Sequence, residues 1–208
     1  MAITQNTLIG RSQNKVGGTV FSTWKGKNVL KSKPLTVANP QTAPQQGQRG
    51  KLSFLVLFFR AFLSVIRYSF TEVSVGSTEW ASFIKYNLKT NWSGSAPNFT
   101  FNPVEFVGAR GTLVNAPNMV ASSVTQNGFD VSWTNNAGAP GANGGDIFAY
   151  AAFDGLNGVR MEVTMLNRDS SGGTIEFETQ TGTTPNIIHG WFVSPSQRKS
   201  SDSRLIFD

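Results

Sequence analysis

From Leu52 to Phe70 the chain is apolar at nearly every position, and its few polar side chains are regularly spaced. Arg49, Ser53, Arg60, Ser64, Arg67 and Thr71 follow one another at intervals of 4, 7, 4, 3 and 4 residues. On a helix, which turns about 100° per residue, these positions collect into one narrow stripe. The spacing therefore predicts a helix from about Pro44 to Phe70. A helix with so thin a polar stripe must be buried nearly all round. Phe54, Leu55, Phe58, Phe59 and Phe62 are expected to fill either the chain's own core or a contact with another subunit. A shorter helix is predicted over Thr78–Leu88, with Ser77 as its cap, Glu79 in its first turn and Trp80, Phe83, Ile84 and Leu88 on its apolar face.

Upstream, Thr19–Trp24 and Asn28–Ser32 are β-prone runs flanking Lys25-Gly26-Lys27, which predicts a hairpin. Residues 34–50 hold three prolines, four glutamines and two glycines and suggest an extended connector. Beyond Asn91 short β runs alternate with turn signals: 99–107, 119–125, 128–134, 147–153, 159–166, 174–179, 187–194 and 204–207. Asn127-Gly128 predicts a tight turn between the second and third. Residues 135–146, rich in Gly, Ala and Asn, suggest a long flexible loop that is exposed. The expected class is α+β: a basic arm and hairpin (1–50), a helical segment (51–95) and a β-sandwich (96–208). Phe129-Asp-Val-Ser-Trp-Thr-Asn followed by Ile147-Phe-Ala-Tyr-Ala resembles strands B and C of fibronectin type III modules. That resemblance implies a fibronectin- or immunoglobulin-like sandwich, with His189–Val193 in strand F and without the usual corner tyrosine.

Charge is divided unevenly. The first 71 residues carry ten basic side chains and no acidic one, whereas the rest carry eight basic and twelve acidic, for a net charge of +6. A cationic leading portion concentrates anions and points outward, to phosphate or to an acidic surface. Lys15, Lys25, Lys27, Lys31, Lys33, Arg49 and Lys51, with Phe21 and Trp24 among them, are the candidate nucleic-acid or subunit contacts. Lysines suit sequence-independent phosphate contact, and an exposed indole stacks on bases.

Asn6-x-Leu-Ile-Gly10, Lys15-Val-Gly-Gly18, Trp24-Lys-Gly-Lys-Asn-Val29, Lys31-Ser-Lys-Pro34, Thr42, Gln45 and Arg49 recur in that order. This pattern resembles a family of proteins of similar length from Bacteroidota and their associated phages and mobile elements. The resemblance implies a basic Gly-rich N-terminal motif, helices and a fibronectin-like C-terminal part, and it brings no assigned activity.

Enzymatic chemistry has few carriers. The chain has no cysteine and one histidine, His189, and neither a G-x-S-x-G elbow nor a G-x-x-x-x-G-K-[ST] loop. Glu176 and Glu178, with Asp169 or Glu162, are the remaining cluster for a cation or acid–base work, and a solvated sheet face explains them as well. No catalytic, metal or cofactor site is expected. No signal peptide is read at the start. Arg60, near the middle of the apolar stretch, argues against a membrane span. The expectation is a non-enzymatic structural protein that self-assembles, a virion component of a Bacteroidota phage. The alternatives are a cytoplasmic nucleic-acid-binding protein of a mobile element and a surface adhesin or carbohydrate-binding sandwich.

Overall fold

The computed structural model describes residues 2–4, 14–24, 27–34, 36, 39–155, 158–177 and 183–208. The chain divides into two compact units, Met1–Gln41 and Thr42–Asp208. The class is α+β, with helices and several antiparallel sheets.

In the first unit, β1 (Ala2–Thr4), β2 (Asn14–Val16), β3 (Thr19–Trp24) and β4 (Lys27–Ser32) form an antiparallel sheet in the order β1-β4-β3-β2. The β3–β4 hairpin is thus widened by a strand on each side. Each added strand is three residues long, too short for a period-2 signal to stand out in the sequence. Gly17 turns β2 into β3 with a φ of 58°, a region that favours glycine. Val29 is the one buried hydrophobic among the residues of this unit whose side chains are described.

The second unit opens with α1 (Ala43–Phe59), a 3-10 turn (Arg60–Phe62) and α2 (Leu63–Ser69), which together form a helical run of 27 residues. Pro44 occupies its first turn, where a missing N–H costs nothing. The helix therefore begins where the spacing predicts, near Pro44, and takes over the second half of the stretch 34–50 that also suggested a connector. Gly47, buried against the Phe99 ring, shows why: the first turns of α1 already pack. By length and composition the run is apolar enough to cross a membrane, yet Leu55, Phe59, Val65, Ile66 and Phe70 are buried. Burial nearly all round is not what the structure shows. Leu57 is 78% and Leu52 43% exposed, and they flank the exposed stripe of Arg49, Ser53, Arg60, Ser64 and Arg67.

Helix α3 (Glu79–Thr90) is capped by Thr78, whose Oγ1 accepts from the Ala81 N–H at 3.1 Å. The expected cap, Ser77, instead lies 3.2 Å from the Ser82 hydroxyl. Asn87, buried on α3, holds the chain at Val107 by pairing with both its N–H and its C=O at 3.0 and 2.9 Å, as a neighbouring strand would. A small hairpin follows, β5 (Trp92–Ser95) and β6 (Asn98–Phe101). The strand expected over 99–107 stops at Phe101. There Asn102 caps a 3-10 turn, accepting from the Val104 N–H, and Pro103 has no N–H to continue a ladder.

Seven strands remain. β7 (Val120–Thr125), β8 (Gly128–Ser132) and β11 (Gly172–Glu176) form a sheet in the order β11-β8-β7. β9 (Ile147–Phe153), β10 (Val159–Asn167), β12 (Ile187–Val193) and β13 (Arg204–Phe207) form another in the order β10-β9-β12-β13. This four-stranded sheet has two covered faces. Ala149, Ala151, Phe153, Trp191 and Val193 join the helices in one apolar cluster. The alternate residues Phe148, Tyr150, Ala152, Ile188 and Phe192 join Phe129, Val131, Trp133 and Ile175 of the three-stranded side in a second. That double burial is why β9 and β12 read as continuous apolar runs.

The 135–146 loop is exposed along most of its length, as its composition suggests, but it is anchored at a few points. Ala142 and Asp146 are buried. The fully enclosed Arg168 reaches Asp146 Oδ2 at 3.1 Å, Asn136 Oδ1 at 2.8 Å and the Val114 carbonyl at 2.8 Å, with its guanidinium 4.1 Å from the centre of the Phe192 ring. A buried cation demands acceptors, and the loop supplies them.

Candidate functional site

Strand register places the lysines of the first unit. Lys15 pairs with Val20 and Val20 with Lys31, so the three share one cross-strand row and one face. Two strand spacings separate the lysines by about 10 Å. Lys15, Lys31 and Lys33 are exposed, and none forms an ion pair among the described residues. Phe21 pairs with Asn14 and Leu30, a row displaced by one residue, and therefore faces the other way. The phenylalanine expected among the lysines thus stands behind them, on a face with Val16, 68% exposed, and Leu30, 37% exposed. Lys25 lies outside the described residues, as do the side chains of Trp24 and Lys27, whose backbones pair at the end of the hairpin.

Arg49 and Lys51 belong to the second unit. Arg49 is exposed on the polar stripe of α1. Lys51 is 9% exposed, and its ammonium sits 3.7 Å from the centre of the Phe99 ring and 5.6 Å from that of Trp92. Among the expected core or interface residues, Leu55 and Phe59 are fully enclosed, while Phe54, Phe58 and Phe62 are half-buried against the same cluster. Phe59 stacks on Phe106 with centroids 5.2 Å apart, and Phe54 stacks on Phe58 at 4.9 Å.

The acid–base candidates do not converge. His189 is buried, its Nε2 donates to the Pro103 carbonyl at 2.9 Å, and Phe106 and Phe153 present their rings to it. Burial pushes its pKa down to about 4, against the pull of the Pro103 carbonyl and of Asp208. Among the described residues no serine or carboxylate lies within hydrogen-bond reach of it. Glu162 accepts from the Tyr150 hydroxyl at 3.2 Å, and Asp169 from Asn135 at 3.3 Å. Glu178 lies outside the described residues. No group of three His, Asp or Glu side chains gathers among those described.

Sequence reasoning passed over Glu72, the first acidic residue. Its carboxylate accepts from the Thr112 hydroxyl at 2.6 Å, the Thr112 N–H at 3.0 Å and the Ser200 N–H at 3.2 Å. Partial burial raises its pKa, but these three bonds and the nearby Lys199 outweigh it and leave the pKa lowered. Its partners stand 40 and 128 residues away, beyond any local spacing signal.

A family profile described as a family of unknown function, DUF6266, matches residues 10–204. No curated protein and no solved structure matches the chain.

Proposed function

The chain belongs to the DUF6266 family, and for it we propose a non-enzymatic structural role: a subunit that assembles in many copies, as a component of a phage particle. The observation that carries this reading is the first unit. A sheet of four short strands, with one buried hydrophobic among the side chains described for it, points to a core too small to stand by itself. One face leaves Val16, Phe21 and Leu30 incompletely covered, and the other presents Lys15 and Lys31 beside the buried Val29. Such a sheet gains stability when its apolar face meets a second copy, and it leaves the lysine face for an anionic surface. The uncovered Leu52 and Leu57 add a further apolar contact surface. In this reading the seven strands of the second unit form a fibronectin type III-like sandwich. The strand order supports it, with the first, second and fifth strands in one sheet and the other four in its partner. The Bacteroidota phage setting follows from the sequence resemblance.

The test is light scattering and negative-stain imaging of the full chain at micromolar concentration, with and without nucleic acid. Multimers or particles are expected. A monodisperse monomer under both conditions overturns the reading.

A second reading, sequence-independent nucleic-acid binding, is favoured by the shared lysine row. It predicts affinity that falls steeply with salt. Replacing Lys15, Lys31 and Lys33 with Gln should flatten that slope, and an unchanged slope rejects it.

A further inference from the structure

Between α1 and the β5–β6 hairpin lies a cleft of about 400 Å³, bordered by Gly47, Gly50, Lys51, Phe54, Trp92 and Phe99. Two of its features bear on what it could hold. Lys51 is 9% exposed, its stem buried along the cleft wall, while its ammonium lies over the Phe99 and Trp92 rings and reaches the water of the cleft, with no hydrogen bond to a described residue. Ring faces ease the charge, and the three N–H donors, met by water alone, are open to a ligand that enters the cleft. Such a donor set favours an oxygen anion, which forms short charge-assisted bonds.

Gly50 is the second feature. Glycine inside a helix costs about 1 kcal/mol relative to alanine, so it needs a reason. Gly47, one turn earlier, has one: a β-carbon there would stand 2.5 Å from Phe99 Cε2. At Gly50 a β-carbon would meet nothing within 4 Å. The chain itself does not require that glycine, and the space over it is part of the cleft.

We propose that this cleft binds a small organic anion. Its carboxylate or phosphate oxygens take the Lys51 donors, and its apolar body lies over Gly50 against Phe54 and Trp92. The volume falls within the range of small-molecule sites, about 300–1,000 Å³. The proposal does not depend on assembly and concerns the second unit alone.

The experiment follows the indole N–H resonances of the full-length protein, with Trp92 assigned by a Trp92→Phe variant. The probes are phenyl phosphate, phenylacetate, inorganic phosphate and the neutral 2-phenylethanol. Saturable shifts of the Trp92 signal are expected with the two aromatic anions, weaker ones with inorganic phosphate and none with the alcohol. Lys51→Gln should weaken the aromatic anions about tenfold or more, the scale of one lost charged hydrogen bond, and Lys51→Arg should restore much of that loss. Gly50→Leu fills the open space without touching the charge. It should abolish the shifts while leaving the thermal midpoint unchanged or raised, which separates loss of the site from loss of the fold. The proposal is overturned by no saturable shift, by equal response to the alcohol, by inorganic phosphate binding as tightly as phenyl phosphate, or by undiminished binding in Lys51→Gln.

Discussion

The two units solve the problem of burying apolar surface in opposite ways. In residues 42–208 a four-stranded sheet is covered on both faces, one by helices and the other by three strands, and its two central strands are buried along their length. Its fully buried Arg168 is tied off by Asp146, Asn136 and Val114. In residues 1–41 a single sheet of comparable width buries one hydrophobic among the side chains described for it. Width therefore does not make a sheet stable; the second layer does. The same sequence that supplies phenylalanines in abundance to the second unit gives the first a row of lysines and a thin apolar face. The comparison teaches that the two units answer to different constraints: internal packing shapes the second, and the contact proposed above is what would shape the first.

The comparison breaks most easily at the core. Phe59 is enclosed among Phe83, Phe101, Phe106 and Phe153. Phe59→Ala should cost about 3–5 kcal/mol by removing buried surface and leaving a cavity. Urea denaturation followed by tryptophan fluorescence measures it, and a loss below about 1 kcal/mol would mean that the aromatic cluster is not the support of the second unit.

His189 gives the next largest effect. Its pKa lies near 4 in the fold against an ordinary value of 6.5, so between these pH values the unfolded chain binds a proton that the native one refuses. Stability is then complete above about pH 6.5 and declines as pH falls toward 4, by about 3 kcal/mol in all. His189→Gln should flatten that part of a stability–pH profile. Glu72 acts lower on the scale and with smaller size. Its lowered pKa means that its contribution is present above the unfolded value near 4.5 and is lost as pH drops through the folded one. Glu72→Gln should cost about 1–2 kcal/mol at neutral pH and remove the corresponding part of the acid limb. An unchanged acid limb in that variant would show that its three bonds are not carrying stability.

Much of the second unit could be read in advance. The run 147–153 is a strand with the bounds that its apolar sequence suggests, and the polar stripe from Arg49 to Arg67 is the exposed face of the helix. Both signals are local, a period or a run, and local signals survive in a single sequence. What the sequence concealed depends on partners far along the chain. Arg168 meets groups 22, 32 and 54 residues away, and Lys51 meets rings at Trp92 and Phe99. No spacing rule marks such meetings. The loop at 135–146 is mostly exposed, as its polar, Gly-rich composition implies, but its Asn136 and Asp146 are drawn in by a buried guanidinium. The candidate lysines were visible as charges, while their division from Phe21 emerged from register alone, which a run of residues does not reveal.

The smallest expected effect on stability is also the sharpest test of the contrast between the units. Phe21 and Leu30 face each other across β3 and β4 on the uncovered side of the first sheet. If that face exists for contact with another copy, Phe21→Ser combined with Leu30→Ser should leave the urea midpoint of the second unit within about 0.5 kcal/mol of the original. The same double variant should shift the assembly toward monomer in light scattering. Charge supplies the control: Lys15→Gln with Lys31→Gln alters the opposite face of the same sheet. It should leave self-association intact in the absence of nucleic acid while weakening any salt-sensitive anion contact. Equal loss of association in both pairs would place the contact on neither face in particular, and the division of the sheet into an apolar and a cationic side would have no functional meaning.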